Sequence, residues 1–236
     1  MKEEPMAIGY SNKVIFISER TRIATPIKIA LNKLGFEFAT DYPALSSIPL
    51  IRKGIARTGR TAFIRTELLR FIKEKGFPRG IIMDSRIELG LDPALDAGGI
   101  KLLKTMIITY IILSKGADCR SLRGNFILLT KGDSFEKEFG LGADPHGVVK
   151  LLSTQNPEIN FFIEELKGNR ARFDEMFSIK LLDAELSSDA IIESVAGMLA
   201  FPQESAPAAS KEEAGPPKAA GEPAKEEEGA PGAGAN

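Results

Sequence analysis

The sequence predicts an α/β protein built on a parallel sheet with helices on both faces. Three observations predict it. Five short apolar runs of strand length recur along the chain, separated by segments with helical periodicity. Runs of four to eight apolar residues bounded by turn or charge signals read as fully buried strands. The central run, Gly80–Ile81–Ile82–Met83–Asp84, ends abruptly on a carboxylate. In an open parallel sheet, chemistry sits in the crevice at such carboxyl strand ends.

In chain order, Val14–Ile17 is a β-branched strand candidate, followed by Ser18, Glu19 and Arg20. Pro26 suits a first helical turn, and Ile27, Ala30, Leu31 and Leu34 repeat at helical spacing until Gly35. Phe36–Ala39 is a second short strand. Thr40–Gly59, with two prolines and two glycines, reads as a long connection. Thr61–Lys75 carries the stripe Phe63, Ile64, Leu68, Phe71, Ile72 and is closed by Gly76 and Pro78. After Gly80–Asp84 comes the loop Ser85–Ala97, then Ile100–Lys115 as a buried helix stopped by Gly116. Asn125–Thr130 is the fourth strand. His146–Leu152 and Pro157–Leu166 read as helical pieces. Met176–Leu182 is the fifth strand, and Ser187–Leu199 a helix with Ser187 as its N-cap. Right-handed crossovers make the sheet parallel, and the expected order is 2-1-3-4-5, a flavodoxin-like doubly wound (βα)5 arrangement with insertions.

Composition bounds the function classes. The net charge is −1 and 43% of residues are hydrophobic, which fits one globular domain large enough to need neither disulfide nor metal for stability. The single cysteine, Cys119, excludes an internal disulfide and fits a reducing compartment. Residues 1–12 form a short leader with Glu3 and Glu4 and no apolar signal core. The longest apolar stretch, Ile100–Leu113, is broken by Lys101 and Lys104 and is shorter than the ~20 residues that cross a bilayer. A cytoplasmic protein is expected. The domain is expected over 13–201. From Pro202 to Asn236, Ala, Pro, Gly, Glu and Lys dominate, which predicts a disordered tail.

The strand ends collect Ser18 and Glu19, Asp84, Thr130 and, on the fifth strand, Lys180. This order resembles the receiver domain of two-component response regulators. VIFISER with KLGFEF is similar to the family's opening, and GIIMD to its phosphoacceptor strand. LDPALDAGGIKLLK, FILLT and FSIKLLDAELSSDAIIESVAGML resemble its later segments, and the likeness spans residues 13–200. The resemblance implies Asp84 as phosphoacceptor, Mg²⁺ on Asp84 and Glu19, and Thr130 and Lys180 on the phosphoryl oxygens. It implies signalling partners, a histidine kinase or a downstream effector, and a homodimer as one arrangement. The only catalysis implied is self-phosphorylation from a phosphodonor.

Four residues depart from the family pattern. Ser18 replaces the first acid, so a Mg²⁺ site loses a charge. Glu19 is longer than aspartate, Lys131 follows Thr130 in place of a small residue, and Leu181 replaces a proline. The expectation is therefore an atypical receiver, either a slow phosphoacceptor or a phosphorylation-independent module.

Two other classes remain open. One is a small Rossmann-like enzyme using Asp84 and Lys180 on a bound metabolite, although no dinucleotide fingerprint is present. The other is an adaptor whose basic region binds an anionic partner. Arg52, Lys53, Arg57, Arg60, Arg65, Arg70, Lys73, Lys75 and Arg79 stand there against Glu67 and Glu74. No helix-turn-helix or zinc-finger pattern supports nucleic-acid binding. Gly140–Gly147 lacks the Lys-Ser/Thr ending of a phosphate-binding loop, and the lone His146 has no company for a metal or catalytic pair.

Overall fold

The computed structural model describes residues 9–85, 87, 98–114, 123–130 and 144–200. The tail from Pro202, Cys119, Lys131, most of the loop after Asp84 and residues 140–143 lie outside the described residues.

The strands β1 (Lys13–Ile17), β2 (Glu37–Phe38), β3 (Gly80–Asp84), β4 (Gly124–Thr130) and β5 (Phe177–Asp183) form one sheet. All pairings are parallel and the order is β2-β1-β3-β4-β5, the predicted flavodoxin-like arrangement. Side chains alternate between two separate cores, which is why the strand sequences are apolar almost throughout. Val14, Phe16, Ile82, Ile127 and Leu129 pack in the smaller core with α1 (Thr21–Lys33) and α8 (Ser188–Ala200). Ile15, Ile17, Ile81, Met83, Phe126 and Leu128 pack in the larger one. Its helices are α2 (Pro43–Ser46), α3 (Ile48–Thr58), α4 (Arg60–Lys75) and α5 (Gly98–Ser114), followed by a 3₁₀ helix (Pro145–Leu151), α6 (Pro157–Gly168) and α7 (Arg170–Met176).

Three stretches differ from expectation. The connection expected over Thr40–Gly59 contains α2 and α3. Pro43 and Pro49 fall in first turns, where the missing N–H has no intrahelical acceptor to lose. Ile48, Ile51 and Ile55 then give α3 its buried stripe. Gly54 is needed for fit, because a Cβ there would overlap the Phe63 ring. In the second stretch, α1 begins at Thr21, leaving Pro26 inside the helix rather than in its first turn. The Arg20 carbonyl already accepts from the Ile23 and Ala24 amides, and burial of Ala24, Ile27 and Leu31 outweighs the single hydrogen bond lost at Pro26. Lastly, α7 has no counterpart in the sequence reading. The Asn169 side chain caps it by accepting from the Arg172 amide, and Phe173 anchors it in the core.

Other details follow the sequence. Ser187 caps α8 by accepting from the Ala190 amide at 3.3 Å. Residues 9–12 of the expected leader dock on the domain, with Tyr10 bridging Phe77 and bonded to the Arg123 backbone. Among the described residues, no helix is long and apolar enough to cross a membrane.

The start of α5 seats on the end of β3: the Gly99 amide donates to the Ser85 carbonyl at 3.1 Å, and a Cβ on Gly99 would overlap the Asp84 carbonyl oxygen. Gly99→Ala should therefore destabilise the protein by about 1–3 kcal/mol, the usual cost of overpacking. Gly197 inside α8 has nothing within 4 Å of such a Cβ, so Gly197→Ala should stabilise by roughly 0.5–1 kcal/mol. Urea unfolding midpoints check both, and equal effects at the two glycines would contradict the seating of α5.

Candidate functional site

The β1–β3 register builds the site. Ile17 stands opposite Met83, so the next residues, Ser18 and Asp84, emerge side by side at the carboxyl edge. Ser18 Oγ donates to Asp84 Oδ2 and itself accepts from the Arg20 amide at 3.0 Å. That turn delivers Arg20, the residue preceding α1, to the same carboxylate. Arg20 Nη2 lies 2.9 Å from Asp84 Oδ1, as an ion pair whose angles fall outside the hydrogen-bond range. The Asp84 side chain is 1% exposed and that of Arg20 is 30% exposed, so the pair closes over the strand end with the arginine outermost. Burial pushes the Asp84 carboxyl above its ordinary value. The Ser18 hydrogen bond, the Arg20 charge and the Glu19 backbone pull the other way without cancelling it.

The other residues singled out by the sequence lie elsewhere. The Glu19 side chain turns to Arg52, at 2.5 Å. Thr130 is buried and its hydroxyl donates to the Leu182 carbonyl at 3.2 Å. Lys180 is at mid-strand, opposite Ile127, rather than at a strand end. It lines a hollow with Arg123, Asn125 and Met198. The structure thus joins Asp84 to Ser18 and Arg20, whereas Thr130, next to Asp84's partner Leu129 on β4, spends its hydroxyl on Leu182, and Lys180 stands two strands away at the level of Ile82. Arg20 escaped the sequence reading, although it directly follows the strand-end residues Ser18 and Glu19 in VIFISER.

Among the described residues, Asp84 is met by one hydroxyl and one guanidinium rather than by a set of oxygen ligands. A hard dication needs several oxygen ligands. Among the described residues no three His, Cys, Asp or Glu side chains gather to hold a metal, and Asp84 already meets a guanidinium.

His146 caps no site. Its Nε2 lies 3.2 Å from the Leu166 carbonyl and its ring stands edge-on to Phe173. Asp144 accepts from the His146 amide at the start of the 3₁₀ helix.

Apart from the partly buried Arg60, the basic region divides into two sets. Arg52, Arg70 and Lys75 pair with Glu19, Glu67 and Asp41, and Arg79 Nε donates to the Leu199 carbonyl. Lys53, Arg57, Arg65 and Lys73 are exposed and make no ion pair among the described residues. Lys53 and Arg57 border a groove of about 570 Å³ between α2, α3 and α4, with Tyr42, Phe63 and Glu67 in its lining. The Tyr42 hydroxyl donates to Glu67 at 3.1 Å. Burial and that carboxylate push the phenol up to about 12.

Compared with models of protein families, with characterised proteins and with solved structures, the chain matches none.

The Asp84 environment has a signed pH signature. Its folded carboxyl sits above the unfolded value of 3.8, so its contribution to stability is full below that value and is lost as pH rises through the folded pKa. Asp84→Asn should therefore gain on the wild type between pH 4 and pH 7. Arg20→Met removes the compensating charge and should cost roughly 1–3 kcal/mol at pH 7, and less at pH 4. Urea midpoints across that range measure both. If the advantage of the Asp84→Asn variant shrank with rising pH, the raised carboxyl would be refuted.

Proposed function

We propose that the protein is a receiver-like signalling module that acts by binding protein partners, without carrying a phosphoryl group on Asp84. One observation carries the reading: the Asp84 carboxylate is buried, bonded by Ser18 and charge-paired by Arg20. Phosphoryl transfer to an aspartate needs a free carboxylate oxygen as nucleophile, with positive charge held ready for the phosphoryl oxygens. Here one oxygen accepts from a hydroxyl and the other faces a guanidinium anchored at the head of α1. Lys180, the cation the family resemblance would place on the phosphoryl group, sits at mid-strand two strands from Asp84 and lines a hollow with Arg123 and Asn125.

The flavodoxin-like scaffold and the strand-end aspartate support the receiver-like part of the reading. The exposed cations of α3 and α4 support a binding role with signalling proteins, in the cytoplasm, through an acidic partner surface. The small-enzyme alternative asks Asp84 and Lys180 to share one metabolite, and the placement of Lys180 at mid-strand, in a hollow with Arg123 and Asn125, speaks against it.

Intact mass after incubation with acetyl phosphate and Mg²⁺ tests the proposal. The wild type should gain no phosphoryl group. Arg20→Ala, which uncovers the carboxylate, should gain at most a slow adduct, lost again when Asp84→Asn is added. A phosphoryl adduct on the wild type that disappears in Asp84→Asn would overturn the phosphorylation-independent reading.

A further inference from the structure

We propose that Arg60, Lys101 and Lys104 form a binding site for a phosphate-type dianion, at the heads of α4 and α5. These residues come from two helices that pack against each other. Both helices run back from the carboxyl edge of the sheet, so their N-termini share the edge that carries Asp84. Arg60 is the first residue of α4. Lys101 and Lys104 are three residues apart in the opening turns of α5 and so lie on one face.

Among the described residues the cluster has no counter-charge. All three side chains are only partly exposed, and none makes an ion pair or side-chain hydrogen bond among the described residues. Arg60 Nε is a buried donor with no acceptor. A buried N–H on a charged group is costly to leave unpaired, and gathering three cations adds repulsion to that cost. Burial, Arg60 and Lys101, in that order, hold the Lys104 ammonium below its ordinary value, which reports that the three charges feel one another. Lys53 and Arg65, by contrast, stand exposed to solvent on α3 and α4. These three are instead held together by helix packing.

The chemistry selects the ligand. A single carboxylate would neutralise one charge of three. A dianionic phosphate presents oxygens in several directions, accepts from the guanidinium edge and both ammoniums, and suits the positive N-terminal ends of the two helices. The same oxyanion can arrive as free phosphate or as the phosphoryl group of a small organic molecule. The site does not depend on the receiver-like reading, since no step of it uses Asp84 side-chain chemistry.

The test uses the full chain, with inorganic phosphate and glucose 6-phosphate as separate probes at constant ionic strength set by sodium chloride. Thermal unfolding should show a saturable rise in Tm with at least one probe. A response to inorganic phosphate alone assigns a free-oxyanion site, and a stronger response to the sugar phosphate assigns an organic phosphate. Lys104→Met and Arg60→Gln should each weaken the apparent affinity by about tenfold or more. Without phosphate, Lys104→Met should melt no lower than the wild type, because it relieves repulsion, so a loss of response cannot be put down to misfolding. Lys53→Met, in the α3 groove, should leave the response intact. A wild-type Tm that follows ionic strength alone, or a Lys104→Met protein with the full response, would sink the proposal.

Discussion

A carboxylate with 1% exposure at the end of the middle strand must be balanced locally, and the carboxyl edge of this protein is arranged to do so. The balance depends on register. With Ile17 opposite Met83, the turn Ser18–Glu19–Arg20 opens directly above Asp84. A slip of one residue between β1 and β3 would send Ser18 and Asp84 to opposite faces and strand the charge. The apolar alternation that fixes the register, with Ile15 and Ile17 in one core and Val14 and Phe16 in the other, therefore also fixes the site. The early start of α1 belongs to the same arrangement. Beginning the helix at Thr21 holds Arg20 in its first-turn hydrogen bonds, so the guanidinium projects from an anchored backbone rather than from a loose loop.

The charge of the whole chain hides a strong local asymmetry. A net charge of −1 describes the average, whereas along the carboxyl edge the acids Asp183, Glu185 and Asp189 stand at the end of β5 and the start of α8, and the cations Arg60, Lys101 and Lys104 stand at the heads of α4 and α5. Near the end of β1, Arg20 pairs with Asp84 and Arg52 with Glu19. The surplus lies at the heads of α4 and α5, where the helix dipoles already favour anions. Fields of this kind act over about a Debye length, roughly 8–10 Å in ordinary salt, so they bias which ligands and partner surfaces approach this edge.

The fold was legible in the sequence for a simple reason: strands buried on both faces read as continuous apolar runs, and GIIMD and FILLT admit no other comfortable placement. Helices were legible where one stripe dominated, as in Phe63–Ile72. They are masked where proline and glycine sit inside helical periodicity, because both residues read as breakers and obscure the buried spacing of Ile48, Ile51 and Ile55. The candidate site was legible only in part. Asp84 and Ser18 follow from strand ends, which sequence can locate. Lys180 was misplaced because its level on β5 is set by pairing with Ile127, and register between strands remote in sequence leaves no local signal. Arg20 was passed over because the family resemblance directs attention to acids, and the cluster of Arg60 with Lys104 exists only once α4 and α5 are packed.

A tethered guanidinium and a dissociable cation differ as partners of a strand-end carboxylate. A dissociable ion leaves when its concentration falls, whereas Arg20 is tethered and keeps its charge at every physiological pH. The Asp84 environment is thus insulated from cation supply, and only protonation of Asp84 or displacement of Arg20 alters it. A ligand that acts on this edge without displacing Arg20 must then do so through another group that touches β3. The head of α5 is such a group, because Gly99 lies directly on the Asp84 carbonyl and has no room to shift toward it. Charge neutralised at Lys101 and Lys104 would be felt within a turn of that contact, through a rigid helix rather than a side chain. In this arrangement the aspartate is the fixed point of the sheet edge, and the cationic heads of α4 and α5 are the part left open to a ligand.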